Sequence, residues 1–240
     1  MSAPRFSNPI FVALDTPDLP KALALAAAVK PHVGGLKVGL EFITALGPDA
    51  VRKVAGVGLP VFADVKFHDI PNTVAGAARE IARLGAMLFN IHVSGGEAMM
   101  RAAAEAAHSI DPKVKIFGVT ILTSMNDADL EAVGQQGPAL AQVERLAKFA
   151  QRCGLDGVVC SPRETALVRK ACGPDFLIVT PGVRPAGADL ADQRRVTTPA
   201  EAMRAGSDIL VVGRPITDAA DPAAAARAIL AEIEAAKTTA

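Results

Sequence analysis

The chain contains no tryptophan and no tyrosine, so phenylalanine and histidine carry all of its ring chemistry. That argues against a nucleic-acid surface built on aromatic stacking. No charge of either sign is in excess: Lys plus Arg is 25 and Asp plus Glu is 25, which leaves no bulk field for a polyanion. Cysteine is sparse. Cys153, Cys160 and Cys172 are odd in number and lack C-x-x-C spacing, which excludes a disulfide framework and a zinc signature and suits buried thiols. No apolar run approaches the ~20 residues that span a bilayer. Met1 to Asn8 lacks a basic region leading into an apolar stretch, so a cytoplasmic location is expected, with no membrane and no nucleic acid as partner.

Short apolar runs alternate with longer Ala-rich amphipathic stretches. Strands are expected at Pro9–Leu14, Leu36–Leu40, Val61–Val65, Met87–Val93, Val114–Thr120, Gly157–Cys160, Phe176–Val179 and Ile209–Val212. Helices are expected at Leu19–Val29, about Glu41–Val54, Pro71–Leu84, Glu97–His108 and Pro138–Arg152, and from about Arg163, Pro199 and Pro222. The strand runs are apolar throughout rather than alternating, as for parallel strands buried on both faces. Eight βα units in 240 residues, with no linker, predict an α/β fold: one closed (β/α)8 TIM barrel over residues 1–240. An open doubly wound sheet is the competing arrangement, but no G-x-G-x-x-G follows the first strand.

In such a barrel, chemistry gathers where strands run out into their following loops. The sharpest segment there is Asp64-Val65-Lys66-Phe67-His68-Asp69-Ile70-Pro71. Strand side chains alternate, so Asp64 and Lys66 share the face toward the barrel mouth, and Val65 and Phe67 point under the helices. Lys37 ends the neighbouring strand. Lys37, Asp64, Lys66 and Asp69 form a neutral set expected to alternate in sign. A carboxylate neighbour favours the charged form of lysine, which suits Lys66 to donating a proton rather than to Schiff-base chemistry. Two plainer readings compete. One is an ion-pair network that fixes strand register only. The other is a metal held by Asp64 and Asp69, which the two lysines oppose.

The seventh and eighth units end in Thr180-Pro181-Gly182-Val183-Arg184-Pro185 and Val212-Gly213-Arg214-Pro215. Phosphate commonly binds between these two loops of a barrel, through close backbone approach at glycine and a bidentate arginine. The stretch from Arg184 to Thr198, with Gln193, Arg194 and Arg195, reads as a lid over that phosphate or, more simply, as a solvated connection. His92 reads as a hydrogen-bonded core residue, His108 likewise as structural, and Met99 and Met100 as helix packing.

These segments together resemble the bacterial orotidine 5′-phosphate decarboxylase family. The resemblance runs from Val12-Ala13-Leu14-Asp15 and Leu36-Lys37-Val38-Gly39 through the block Asp64 to Thr73 and Leu122-Thr123-Ser124. It continues through Thr180 to Pro185 and Asp192-Gln193-Arg194-Arg195 to Val212-Gly213-Arg214. It implies that Lys66 protonates C6 of the pyrimidine and that Asp64 lies against the substrate carboxylate, with Lys37 and Asp69 completing the charged set. It implies further that Asp15 and Lys37 hold ribose hydroxyls and that Thr123 and Ser124 touch the pyrimidine. Pro181, Arg184, Gln193, Gly213 and Arg214 would serve the phosphate and its loop. A homodimer is implied, with Asp69 and Thr73 reaching the neighbouring site, and no metal or organic cofactor. Magnesium-dependent sugar-phosphate decarboxylases and aldolases share a similar block but carry an acidic ligand where this chain has Lys37. A silent nucleotide-binding protein is the alternative outside enzymes.

Overall fold

The computed structural model describes residues 6–185 and 197–238. Eight parallel strands close into a barrel in chain order. They are β1 (Ile10–Ala13), β2 (Gly35–Val38), β3 (Val61–Phe67), β4 (Leu88–His92), β5 (Lys115–Val119), β6 (Gly157–Val159), β7 (Leu177–Pro181) and β8 (Ile209–Val212). Ladder closure is explicit, because Ile10, Phe11 and Val12 pair with Leu210, Val211 and Val212.

The helices between them are α1 (Leu19–Val29), α2 (Leu40–Leu46), α3 (Pro48–Ala55), α4 (Pro71–Arg83), α5 (Gly96–His108), α6 (Asp127–Ala132), α7 (Ala139–Arg152), α8 (Thr165–Cys172), α9 (Pro199–Arg204), α10 (Arg214–Thr217) and α11 (Pro222–Thr238). The single helix expected over 41–54 is two helices. Gly47 takes a left-handed φ of 74° and Pro48 follows it. Proline has no N–H to continue the first helix but suits the first turn of the second. Among the described residues no helix is long and apolar enough to cross a membrane.

Alternation divides the strands into two buried layers. Residues facing out, such as Val12, Leu36, Ala63, Phe89, Ile91 and Ile116, join the core shared with the helices, where Met99 and Met100 are fully buried. Residues facing in, including Phe11, Phe62, Leu88, Phe117, Leu177, Val179 and Ile209, fill the barrel. Phe62 and Phe117 lie on non-adjacent strands yet their ring centroids are 6.2 Å apart, which places them across the interior. Burying each such ring contributes roughly 1.5–3 kcal/mol. Two residues further along the same faces the interior turns polar: Gly35 gives way to Lys37, Phe62 to Asp64 and Leu88 to Asn90. The apolar plug thus ends where the polar mouth begins.

Candidate active site

Two ion pairs stand at that boundary. Lys37 Nζ donates to both carboxylate oxygens of Asp15 at 2.7 Å, with the lysine side chain 7 % and the aspartate 46 % exposed. Lys66 Nζ donates to Asp64 Oδ1 at 2.5 Å, with both side chains half-buried. The alternating chain of four expected from the sequence is therefore not formed. Lys37 pairs laterally with Ala13 of β1 and Phe62 of β3, so Asp15, just past β1, and Asp64 on β3 lie at the same offset from it; Asp64 is taken by Lys66, and Lys37 pairs with Asp15. Asp69 lies past the strand, exposed, where its Oδ1 accepts the Ile70 N–H at 2.6 Å; it joins no ion pair among the described residues.

Lys66 departs from regular strand geometry. Its φ is +49°, the one left-handed non-glycine residue among those described. Such a conformation costs a residue with a side chain on the order of 1–3 kcal/mol and marks a position held by its surroundings. The register between β3 and β4 shifts here, from Ala63↔Phe89 to Phe67↔Ile91. A bulge of this kind re-aims a side chain. Val65 and Phe67 nevertheless pack against the outer core, as the alternation predicts.

A polar strand-end residue to which the sequence reading gives no role, Asn90, completes the centre. Asn90 is fully buried; its Nδ2 donates to Asp64 Oδ1 at 2.7 Å and its Oδ1 accepts the Lys66 backbone N–H at 2.7 Å. The available signal was an amide inside the apolar run Leu88–Ile91. His92, two residues on, stacks on His68, and among the described residues no hydrogen bond of the kind expected reaches its ring. Burial, then His68 and Lys66, push its pKa down, against a smaller opposing pull from Asp64.

The remaining predicted residues ring the same end of the barrel. Thr123 and Ser124 are exposed after β5, and Thr73 is exposed in the first turn of α4. Pro181 closes β7, and Gly213 precedes α10, whose first residue is the exposed Arg214. Since β8 pairs with both β7 and β1, Arg214 stands between the Pro181 and Asp15 ends. Arg184 is buried, with Nη1 donating to the Val183 carbonyl at 2.9 Å, a placement suited to supporting a loop base. Its N–H donates to Thr197 O at 3.1 Å, so the two ends of the 186–196 segment meet. Gln193, and most of the stretch read as a lid, lie outside the described residues.

The chain is similar to known proteins in both sequence and fold. The model of the orotidine 5′-phosphate decarboxylase / HUMPS family matches residues 8–229. The chain is 58 % identical over 231 residues to the orotidine 5′-phosphate decarboxylase of Moorella thermoacetica, covering 94 % of this chain and 92 % of that one. It is 52 % identical to that of Paramagnetospirillum magneticum, covering 94 % and 98 %. Among solved structures, orotidine 5′-phosphate decarboxylase from Lactobacillus acidophilus superposes with a TM-score of 0.85 at 38 % identity, covering 95 % of this chain and 99 % of that one. With most of its length matched by sequence and by fold, this chain belongs to the orotidine 5′-phosphate decarboxylase / HUMPS family.

Proposed function

We propose that this protein converts orotidine 5′-monophosphate to uridine 5′-monophosphate and CO2, with Lys66 as the proton donor. The observation that carries the reading is the Lys66 Nζ–Asp64 Oδ1 contact of 2.5 Å at the top of the barrel interior. Breaking the bond between C6 and the carboxylate leaves an electron pair in the ring plane, outside the π system. With no organic electron sink, that charge must be stabilised electrostatically. An ammonium beside C6 does so, and transfer of one of its protons to C6 completes the product. Asp64 lies against the departing carboxylate in this reading.

Asp15 and Lys37 hold the ribose hydroxyls, Thr123 and Ser124 the pyrimidine, and Pro181, Gly213 and Arg214 the phosphate end. Large enzymatic accelerations correspond to roughly 23 kcal/mol, more than one ion pair supplies, so remote phosphate binding must hold the geometry. Lys37 occupies the place where magnesium-dependent relatives carry a carboxylate, which favours chemistry without a divalent ion. The exposed apolar side chains of Leu40 (55 %), which opens α2 after β2, and of Ile70 (68 %), next to Asp69 after β3, support a homodimer in which Asp69 and Thr73 reach the neighbouring site.

The test is loss of orotidine 5′-monophosphate absorbance with purified protein and EDTA present. Prompt formation of uridine 5′-monophosphate is expected. No conversion, with magnesium-dependent turnover of a pentulose or hexulose phosphate instead, would overturn the reading.

A further inference from the structure

Asn90 is a primary amide buried in a strand whose neighbours are Phe89 and Ile91, with Phe117 paired opposite it on β5. An amide removed from water needs partners for both of its ends. Here both partners belong to the two residues on which the proposed chemistry depends. Between the pairs Ala63↔Phe89 and Phe67↔Ile91, β3 spends three residues, 64 to 66, against Asn90 alone. The Asn90 side chain fills that mismatch. Its Oδ1 accepts the Lys66 N–H at 2.7 Å, where the bulge has broken the ladder. Its Nδ2 donates to the same Asp64 oxygen that receives Lys66 Nζ, at 2.7 Å and 2.5 Å.

The orientation of the amide follows from chemistry. A backbone N–H can only donate, so it must face the oxygen, and a carboxylate can only accept, so it must face the NH2. Leucine has a similar shape but neither function, and aspartate lacks the donor. Asparagine meets both demands.

We infer that Asn90 is a positioning residue for the proposed reaction: it holds the left-handed turn that aims the Lys66 ammonium and fixes the carboxylate oxygen with which that ammonium pairs. This rests on the reading of Lys66 as the proton donor. The residue acts through Lys66 and Asp64 and touches no reacting atom itself.

The experiment compares steady-state decarboxylation by wild type, Asn90→Ala and Asn90→Asp from pH 5 to 9, with circular dichroism to establish folding. For Asn90→Ala, kcat is expected to fall about a hundredfold, the scale of an ångström of misplacement, with KM within about threefold of wild type. Asn90→Asp retains the acceptor for the Lys66 N–H but sets a second carboxyl against Asp64. The two must share a proton to keep the geometry. Its kcat relative to wild type is therefore expected to be highest at acid pH and to decline as pH rises. Asp64 and Lys66, hydrogen-bonded to this side chain, and His92 with the His68 stacked on it are the titratable groups around this position, and all four are unchanged in the variant. Should Asn90→Ala fail to fold, the relative pH profile of Asn90→Asp decides alone. A wild-type kcat in folded Asn90→Ala, or a pH-independent ratio for Asn90→Asp, overturns the inference. A wild type that leaves orotidine 5′-monophosphate unconverted would instead overturn the proposed function.

Discussion

The imidazoles of His68 and His92 stack with centroids 5.2 Å apart and planes 29° from parallel, at the ends of two adjacent strands. His68 is exposed and His92 half-buried, so the outer ring covers the inner one. Burial holds the His92 pKa below its ordinary value of 6.5, and the neighbouring His68 and Lys66 add to this. The unfolded chain then takes up a proton that the folded chain resists. The stability due to the neutral ring is complete above pH 6.5 and is lost as pH falls below it. Thermal unfolding followed from pH 8 to 5 should show a declining Tm in the acid range. His92→Phe, which keeps a ring on His68 but cannot titrate, should flatten that decline; an unchanged slope would assign it to other groups.

Lys66 and Arg214 are proposed to serve opposite ends of one substrate, so their variants should fail differently. Lys66→Ala should reduce kcat by about a thousandfold or more, since both the proton and the charge are lost, while nucleotide binding persists. Arg214→Ala should raise KM about tenfold to a hundredfold, the worth of a charge-assisted hydrogen-bond pair, with kcat less affected. Steady-state kinetics and titration with uridine 5′-monophosphate separate the two. Normal turnover by the Lys66 variant would end the proposed mechanism.

Gly39 stands directly against the first ion pair. A Cβ there would lie 2.9 Å from Asp15 Oδ1 and 3.0 Å from Lys37 Nζ. Both atoms are the far ends of side chains and can give way, so Gly39→Ala should still fold, at a cost in the ordinary range of about 0.5–3 kcal/mol for a point substitution. The displaced pair would no longer meet correctly the ribose hydroxyls it is proposed to hold. A severalfold rise in KM in a folded variant is expected; an unchanged KM would separate the pair from the substrate.

Glu164 is a half-buried carboxylate whose pKa is pushed up by loss of solvent, partly offset by the Ser161 N–H that its Oε2 accepts at 2.9 Å. The folded chain therefore holds this proton more readily than the unfolded chain. Stability falls as pH rises from the ordinary carboxylate value through the raised one, and the penalty is complete above it. Glu164→Gln retains an acceptor for Ser161 without the charge. Its Tm should exceed wild type at pH 7 by a few degrees and converge with it near pH 4. Equal Tm values at neutral pH would show that the charge is well solvated.

Much of this arrangement could be read from residue order. The strand over 209–212 and the helix over 19–29 agree with the structure end for end, because short apolar runs between polar stretches leave little room for other assignments. The rule that chemistry gathers at strand ends selected Asp15, Lys37, Asp64 and Lys66 before any coordinates. Gly47-Pro48 was legible as punctuation, yet the apolar positions on both sides read as one helix.

Pairing was the part that remained hidden. Periodicity along one chain says which face a side chain takes, and here it separated Asp64 from Val65 without reference to any neighbour. It does not give the stagger between adjacent strands. Lys37 lies at the same offset from Asp15 and from Asp64, and it is the bulge between β3 and β4, where Lys66 turns left-handed opposite Asn90, that gives Asp64 to Lys66 and Asn90 while Lys37 pairs with Asp15. Residue types and their alternation were enough to specify a barrel with a charged mouth, since burial is a property of each strand by itself. The partner of each charge was settled only when the barrel closed, because hydrogen-bond register exists between strands and not within them.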